Sequence, residues 1–383
     1  MLFNNIFLAA ALVSTAFAGP CKTRKTKTTA AAANTNTGTD THANTNTNTN
    51  TNTNANTNTK ASGASSSSTS ASTTASGKMK WFGINESGPE FGKANIPGLY
   101  NKDYIWPDLN KVDQFIGQGM NMFRINFLME RLTPGSLTGS FDANYLSNLT
   151  AQVNHVTSKG AYAMIQPHNY GRFNGQIMTD TAGFEKWWTN VAGQFKDNSL
   201  VVFDINNEFH DMDQTLVVNL NQAGINGIRA AGAKSQIITP EGNAWTGAWS
   251  WVSSGNAASM ANLKDPENKL VYQMHQYLDS DSSGTNANCV STTIFQERLV
   301  AATQWLKDNK KLGVIGEYGA GSNAQCVAAL QGGLEYMNKN SDVWQGAIWW
   351  AAGPWWGSYM YSMEPTDGPA WTGILPKIKS YFV

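Results

Sequence analysis

The chain has 383 residues, enough for one large domain or two ordinary ones. Its 27 Lys and Arg balance its 27 Asp and Glu. The zero net charge argues against a basic face for nucleic acid and against a polybasic membrane patch. Three Cys exclude a scaffold built from disulfides. All 14 Trp and 12 Tyr lie after residue 80, so an aromatic-rich part follows a part without the means to build a core.

The first 18 residues have the pattern of a secretory signal peptide. The apolar run at 6–16 is too short to span a bilayer. Ala16-Phe17-Ala18 is a small-residue cleavage site. We therefore predict that residues 1–18 are removed and that the protein is secreted, with a buried N-terminal helix as the alternative.

Residues 19–78 form a low-complexity segment of Thr, Asn, Ser and Ala, with an almost perfect Asn-Thr alternation over 44–59. Such a segment buries too little apolar surface to offset its ordering entropy. We predict a disordered linker, and its Thr and Ser density is typical of O-glycosylated spacers. Residues 79–383 are predicted to form one folded domain.

Short apolar runs recur every 32 to 42 residues in this domain, which is about one strand–helix unit. They lack a clean apolar/polar alternation, as is typical of parallel strands buried on both faces. The eight predicted strands are 80–85, 122–127, 161–168, 200–208, 235–242, 270–277, 312–319 and 344–351.

Between these runs, apolar residues recur with helical spacing, as at Leu146, Leu149 and Val153. Eight strand–helix repeats predict an α/β fold, a single (β/α)8 TIM barrel preceded by the disordered tail. Such barrels carry their active site at the C-terminal ends of the strands. The alternative is an open doubly wound sheet. It would normally show a Gly-rich phosphate turn after the first strand, and the sequence has no G-x-G-x-x-G there.

Polar or aromatic residues stand at the C-terminal ends of six predicted strands. A barrel brings these ends to one rim, so the side chains would share one site. Glu208 and Glu317 are carboxylates on different strands, and a pair of Asp or Glu is the usual apparatus for hydrolysing a glycosidic bond. The positions are Arg124, His168-Asn169-Tyr170, Asn206-Asn207-Glu208, His275-Gln276-Tyr277, Gly316-Glu317-Tyr318 and Trp349-Trp350.

The order and strand positions of these residues resemble the constellation of glycoside hydrolase family five. Segments 166–172 and 349–357 resemble the fungal secreted endo-β-1,4-glucanases, or cellulases, of that family. The resemblance covers residues 80–383. It implies a catalytic domain that hydrolyses internal bonds of cellulose or β-glucan, with retention if the two carboxylates lie about 5 Å apart. The residues concerned are Arg124, His168, Asn207-Glu208, His275, Tyr277, Glu317 and Trp350.

The resemblance implies a role for each carboxylate and its neighbours. Glu208 matches the acid/base and Glu317 the nucleophile. Arg124 and Tyr277 would lie against Glu317 and keep it ionised, while His275 would lie beside Glu208. From the residues alone, Arg124 could instead belong to an ion pair in the core.

The other matching residues are implied to contact the sugar. Asn207 would hydrogen-bond the 2-hydroxyl, and His168, with Asn169 beside it, would hold another hydroxyl. Trp350 would form the floor of the subsite for the cleaved sugar. Trp245, in the loop after the fifth strand, is a candidate stacking platform or a packing residue.

The sequence departs from the family at Phe209, where Pro is common, so the shape of that loop is open. The resemblance also implies a Cys289–Cys326 disulfide, which leaves Cys21 free. The sequon at Asn148 lies on a predicted surface helix and is the better glycosylation candidate.

Two alternatives concern the activity. A mannanase or xyloglucanase could use the same scaffold, because the catalytic residues do not distinguish the sugar. A cell-wall glycan-binding protein without activity is the other, and the intact carboxylate pair argues against it. We expect no bound metal, since the sequence has no H-E-x-x-H and no Cys–Cys–His cluster. We also expect a monomer that works without a cofactor.

Overall fold

The computed structural model of the protein describes residues 77–382. The predicted signal peptide, Cys21 and nearly all of the predicted linker lie outside these residues. The described strands are β1 (Trp81–Glu86), β2 (Met122–Phe127), β3 (Tyr162–Pro167), β4 (Arg172–Phe173), β5 (Gln176–Ile177), β6 (Val201–Asp204), β7 (Ile237–Thr239), β8 (Val271–Tyr277), β9 (Leu312–Gly319) and β10 (Trp344–Ala352).

Eight of these strands form one parallel sheet in the order β7-β6-β3-β2-β1-β10-β9-β8. Its outer strands, β7 and β8, are joined by isolated parallel bridges such as Ile238–Leu270 and Glu241–Gln273. The sheet therefore nearly closes on itself, and the predicted TIM-barrel architecture is confirmed. β4 and β5 form a separate antiparallel hairpin that the sequence analysis did not predict.

Two predicted strands are shorter than expected. The strand predicted at 200–208 ends at Asp204, and the one predicted at 235–242 is only Ile237–Thr239. The residues beyond Asp204 still bond to neighbouring strands, since the Asn207 N–H donates to the Pro167 carbonyl (3.0 Å), but they follow no regular ladder. These irregular ends form the rim of the barrel.

Helices cover the outside of the sheet. Several begin at an Asp or Asn whose side chain accepts a backbone N–H of the first turn, as at Asp142 and Asp213. Within the described residues no helix is both long and apolar enough to cross a membrane. The helices are α1 (Leu109–Gly117), α2 (Met129–Leu132), α3 (Ala143–Ser158), α4 (Thr181–Phe195), α5 (Gln214–Ala230), α6 (Asn256–Met260), α7 (Ile294–Asp308), α8 (Ala324–Lys339), α9 (Pro369–Gly373) and α10 (Leu375–Ile378).

Helix α5 packs on α4 through a face that mixes apolar residues with small and polar ones. Its buried face includes Asn221, Gly224 and Gly227 among the apolar residues. A Cβ at Gly227 would collide with the backbone oxygen of Glu185, so glycine lets α5 approach α4 closely. The close approach of the two helices therefore depends on a glycine at this position.

The interior of the barrel changes character along its axis. Its lower layer is apolar and includes Met122, Met164 and Val202. Side chains two residues apart on a strand share a face, so the next layer carries Arg124, Gln166, Asp204 and Gln273, all buried. The fold thus places a buried polar layer under the C-terminal rim.

The structure contains the Cys289–Cys326 disulfide, which joins the segment after β8 to the first turn of α8. The two cysteines are 37 residues apart in sequence. Replacing both with Ala is expected to lower the free energy of unfolding by about 2–4 kcal/mol, because the bond restricts the unfolded chain. Urea unfolding without reductant would measure this. A Cys21→Ser variant is the control, and an unchanged midpoint in the double variant would contradict the expectation.

Candidate active site

Arg124, on β2, is the centre of the buried polar layer. Each of its five N–H groups points at a side-chain oxygen, so the guanidinium is fully satisfied. Burial alone would lower the pKa of Arg124, but the surrounding carboxylates raise it above its ordinary value. Its acceptors are Asp204 (2.8 Å), Asn85 (2.8 Å), Glu317 (2.7 Å), Asn207 (2.8 Å) and Glu241 (3.0 Å).

Glu317, on β9, is held at both carboxylate oxygens. Arg124 donates to Oε1 at 2.7 Å, and the Tyr277 hydroxyl donates to Oε2 at 2.7 Å. Burial raises the pKa of Glu317, while Arg124 and Tyr277 act in the opposite direction by stabilising the charged form. The structure therefore brings together the three residues that the resemblance grouped around the predicted nucleophile.

Glu208 follows β6 on the rim and is partly exposed. Its Oε1 lies 2.8 Å from His275 Nδ1. Its backbone φ of +47° lies in the left-handed region, which non-glycine residues rarely adopt. Burial raises the pKa of Glu208 well above its usual range, and the nearby charge of Glu317 raises it further.

The two carboxylates face each other across a short gap. Ligand atoms of Glu208, His275 and Glu317 all lie within 4.8 Å of one another. Burial lowers the pKa of His275 well below its usual range, and Arg124 lowers it further. The site therefore pairs two glutamates in different environments beside a neutral imidazole. The same three groups have the spacing of a metal site, so the absence of a metal stays a prediction.

His168 and Trp350 form one wall of the site. The two rings stack with centroids 5.4 Å apart, and His168 Nε2 lies 3.5 Å from the Asn207 amide nitrogen. Trp350 is half-buried, whereas Trp349 is fully buried and its Nε1 donates to the Tyr361 carbonyl. The structure thus points Trp350 to the rim and Trp349 into the packing, a choice that alternation alone left open.

Asn169 has a different setting from His168. Its Oδ1 accepts the Met129 N–H (3.0 Å), and its Nδ2 donates to Glu130 (2.7 Å). Both contacts reach the short helix α2, and Asn169 is buried. Asn169 therefore anchors α2 to the rim through these two hydrogen bonds, and its side chain supports the site from the buried side.

Trp245 stands on an unusual turn. Ala244, Trp245 and Thr246 all have φ near +50° (53°, 54° and 48°). One face of the Trp245 ring stacks on His210 with centroids 4.5 Å apart, yet the side chain is 49% exposed. Runs of strained backbone cluster at functional sites, and this one exposes an aromatic ring against the loop that follows Glu208.

The loop at Phe209 is shaped by packing. Phe209 is fully buried, and its carbonyl accepts the Trp245 N–H at 3.1 Å. Its ring occupies the space beside Gly171, where a Cβ would come within 2.6 Å. Phe209 thus fixes the loop that follows Glu208 without the proline that is common in the family.

Sequence reasoning missed part of the polar layer. Asn85, Asp204 and Glu241 are fully buried, and all three contact Arg124. A carboxylate inside or directly after an apolar strand is an unusual pattern. That pattern at Asp204 and Glu241 was the available signal.

Comparison with known proteins identifies the family. Residues 71–353 match the family described as Cellulase (glycosyl hydrolase family 5). Endo-beta-1,4-glucanase B of Aspergillus niger is 61% identical over 303 residues, covering 79% of this chain and 90% of that protein.

Solved structures agree with this match. The endo-beta-1,4-glucanase Xac0029 from Xanthomonas axonopodis pv. citri aligns with a TM-score of 0.76 and 38% identity, covering 80% of this chain and 100% of that one. XacCel5A in complex with cellopentaose also gives 0.76, at 37% identity, covering 79% and 99%. The resemblance predicted from the sequence is confirmed: the chain belongs to glycosyl hydrolase family 5 and is a glycoside hydrolase.

Proposed function

We propose that this enzyme is a retaining endo-β-1,4-glucanase, with Glu317 as the nucleophile and Glu208 as the acid/base. The observation that carries this proposal is the short gap between the two carboxylates, since one oxygen of Glu208 and one oxygen of Glu317 lie within 4.8 Å of each other. A retaining mechanism needs the carboxyl groups about 5–5.5 Å apart, whereas an inverting one needs roughly 6.5–9.5 Å to admit a water molecule.

The reaction proceeds in two displacements. The ionised Glu317 attacks the anomeric carbon as the bond to the leaving oxygen breaks, and Glu208 gives its proton to that oxygen. Water then attacks the same carbon, Glu208 takes a proton from the water, and the bond to Glu317 breaks. Glu208 ends protonated and Glu317 ionised, as at the start.

The surroundings of the two glutamates support this division of roles. Glu317 accepts two hydrogen bonds, one of them from a guanidinium, which favours the carboxylate form. Among residues 77–382 no Arg or Lys forms an ion pair with Glu208, and its raised pKa favours the protonated form that an acid catalyst needs. Burial raises the pKa of both glutamates, but only that of Glu317 is lowered by direct hydrogen bonds from Arg124 and Tyr277. Two glutamates whose environments differ in this way are the expected signature of an acid and a nucleophile.

The walls of the site supply the sugar contacts in this proposal. Trp350 would stack on the sugar at the cleaved bond, and His168 and Asn207 would bind its hydroxyls. Trp245, with its free ring face, would stack on the sugar on the leaving-group side of Glu208. The family match, the name of the Aspergillus niger relative and the cellopentaose complex of XacCel5A favour a β-1,4-glucan over mannan or xyloglucan.

One experiment tests both substrate and stereochemistry. Initial rates on carboxymethylcellulose, β-mannan and xyloglucan would be compared, and NMR would identify the first-formed anomer from a cello-oligosaccharide. We expect the highest rate on carboxymethylcellulose and a β-anomer as the first product. A faster rate on mannan or xyloglucan, an α-anomer, or binding without release of reducing sugar would each contradict the proposal.

The pH dependence gives a separate prediction. The basic limb of kcat/KM reports the loss of the Glu208 proton, and the positive charge of Lys93 lowers the pKa of Glu208. Lys93→Gln is therefore expected to move the basic limb to higher pH and leave the acidic limb in place. Lys102→Gln, which changes an exposed lysine in the same loop, is the control. A downward shift of the basic limb would contradict the assignment.

Several features outside the active site remain proposals. They are the signal peptide at 1–18, the linker at 19–78, the domain boundary at residue 79 and a monomeric state.

Asn148 is exposed on α3, as N-glycosylation requires. A mass decrease on treatment of the secreted protein with an N-glycosidase, absent in Asn148→Gln, would assign that glycan.

A further inference from the structure

Glu241 stands directly behind the proposed acid/base. It follows β7, and its side chain is fully buried. Its Oε2 accepts the backbone N–H of Glu208 at 2.6 Å, and its Oε1 accepts from Arg124 at 3.0 Å and from the Gln273 amide. One carboxylate therefore contacts the backbone of Glu208 and the guanidinium that holds Glu317.

The contact to Glu208 bears on how that residue is aimed. Its φ of +47° belongs to a backbone conformation that side-chain-bearing residues rarely adopt, so neighbouring groups must hold it. A backbone N–H hidden from water needs an acceptor. Here the acceptor is a carboxylate, which makes a stronger hydrogen bond than a neutral oxygen. Glu241 thus fixes the peptide from which the Glu208 side chain projects.

A second route links Glu241 to the same carboxyl group. His275 Nε2 lies 3.7 Å from Glu241 Oε1, while its Nδ1 lies 2.8 Å from Glu208 Oε1. His275 Nε2 has no hydrogen-bond partner among the described residues, and the Glu241 carboxyl group lies 3.7 Å from it. The imidazole that contacts the Glu208 carboxyl through Nδ1 therefore faces Glu241 with its other nitrogen.

Glu241 is itself held rigidly. Asn221 of α5 brackets its backbone, accepting the Glu241 N–H (3.2 Å) and donating to its carbonyl (2.9 Å). The Gln273 amide, which donates to Glu241, packs closely against Gly316, where a Cβ would collide with it. Glu241 therefore has little freedom to follow a displaced Glu208.

We propose that Glu241 is a positioning residue that sets the orientation of Glu208, so that the acid proton meets the departing oxygen. It is fully buried and so does not contact substrate. The inference rests on the proposed function of Glu208. It predicts that losing Glu241 impairs proton donation more than it impairs nucleophilic attack by Glu317.

The test compares two substrates with different needs for acid assistance. The sugar that leaves from cellotetraose is a poor leaving group and needs a proton, whereas 2,4-dinitrophenyl β-cellobioside releases 2,4-dinitrophenolate, which departs without one. Glu241→Gln cannot accept at both oxygens, because its amide N–H2 would face either the Glu208 N–H or the Arg124 guanidinium. We expect kcat/KM on cellotetraose to fall about 10- to 100-fold, the cost of a small misplacement. On the activated glycoside it should fall by at most about threefold.

Asp204→Asn is the matched control. It removes another buried carboxylate from Arg124 and Gln273, but Asp204 does not contact the Glu208 backbone among the hydrogen bonds of the described residues. We expect any loss in this variant to be the same on both substrates. Glu241→Asp, which keeps the charge but shortens the reach, should show the substrate-dependent loss in a milder form. It also provides the test if Glu241→Gln does not fold.

The outcomes separate this inference from the proposed function. Equal losses on both substrates in Glu241→Gln, with an unfolding temperature like that of Asp204→Asn, would overturn the positioning role. Wild-type activity on cellotetraose would overturn it as well. If Glu208→Gln itself shows no dependence on the leaving group, the assignment of Glu208 as the acid fails first.

Discussion

Replacing Glu317 with Gln is expected to lower kcat/KM on carboxymethylcellulose by on the order of 10⁴-fold or more, as for removal of a hydrolase nucleophile. The amide cannot form the glycosyl-enzyme bond, so the loss should be as large on an activated aryl cellobioside. It should not destabilise the fold severely, because Gln keeps the size of the side chain and can still accept from Arg124 or Tyr277. Reducing-sugar release and nitrophenolate release would measure the two substrates.

Glu208→Gln is the matched comparison, because the same chemical change falls on the other carboxylate. It should lose activity on cellulose derivatives but still release the activated phenol in a rapid first turnover. The intermediate would then persist, since no base activates the water. Normal hydrolysis by either variant, or release of the phenol by Glu317→Gln alone, would contradict the assignment of roles.

Arg124→Met should produce the largest loss of stability, about 3–5 kcal/mol in the free energy of unfolding at neutral pH. Removing one partner of a buried ion pair leaves uncompensated charge behind. Three carboxylates, Asp204, Glu241 and Glu317, would lose their cation at once. Met fills similar volume, so the loss would report charge and hydrogen bonding more than a cavity. Urea unfolding monitored by tryptophan fluorescence would measure it.

The sign of the pH dependence follows from linkage. Without Arg124, the buried carboxylates bind protons more tightly in the folded than in the unfolded state, so stability falls as pH rises. The loss in free energy of unfolding of Arg124→Met relative to wild type should therefore be larger at pH 7 than at pH 5. Arg229→Met is the control, because Arg229 pairs with the single carboxylate of Asp265. A deficit independent of pH would contradict the charge argument.

The barrel and the rim were predictable from sequence for a physical reason. Parallel strands buried on both faces are continuous apolar runs, and the helix between two of them sets their spacing. Once those runs end, the polar residues that follow must lie on one rim. Glu208, Glu317 and their neighbours could therefore be grouped before any coordinates, with the family resemblance supplying their roles.

The lack of apolar/polar alternation along these strands also prevented prediction of the buried polar layer. Strands without alternation do not show which residues point inward, so nothing in the sequence placed Asp204 or Glu241 against Arg124. The direction of the Asn169 side chain was equally open, and its two contacts to α2 arise from tertiary packing. The choice between Trp349 and Trp350 needed the family match for the same reason. Side-chain direction within a doubly buried strand is decided by the closed barrel.

The change from an apolar to a polar layer inside the barrel separates two tasks along its axis. Met122, Met164 and Val202 lie one side-chain step, or about 6.6 Å, below the layer of Arg124. The lower apolar layer could therefore be redesigned for greater thermal stability while every hydrogen bond of Arg124 is left unchanged. Thermal stability and catalysis can thus be engineered separately in this molecule, in different side-chain layers of the same eight strands.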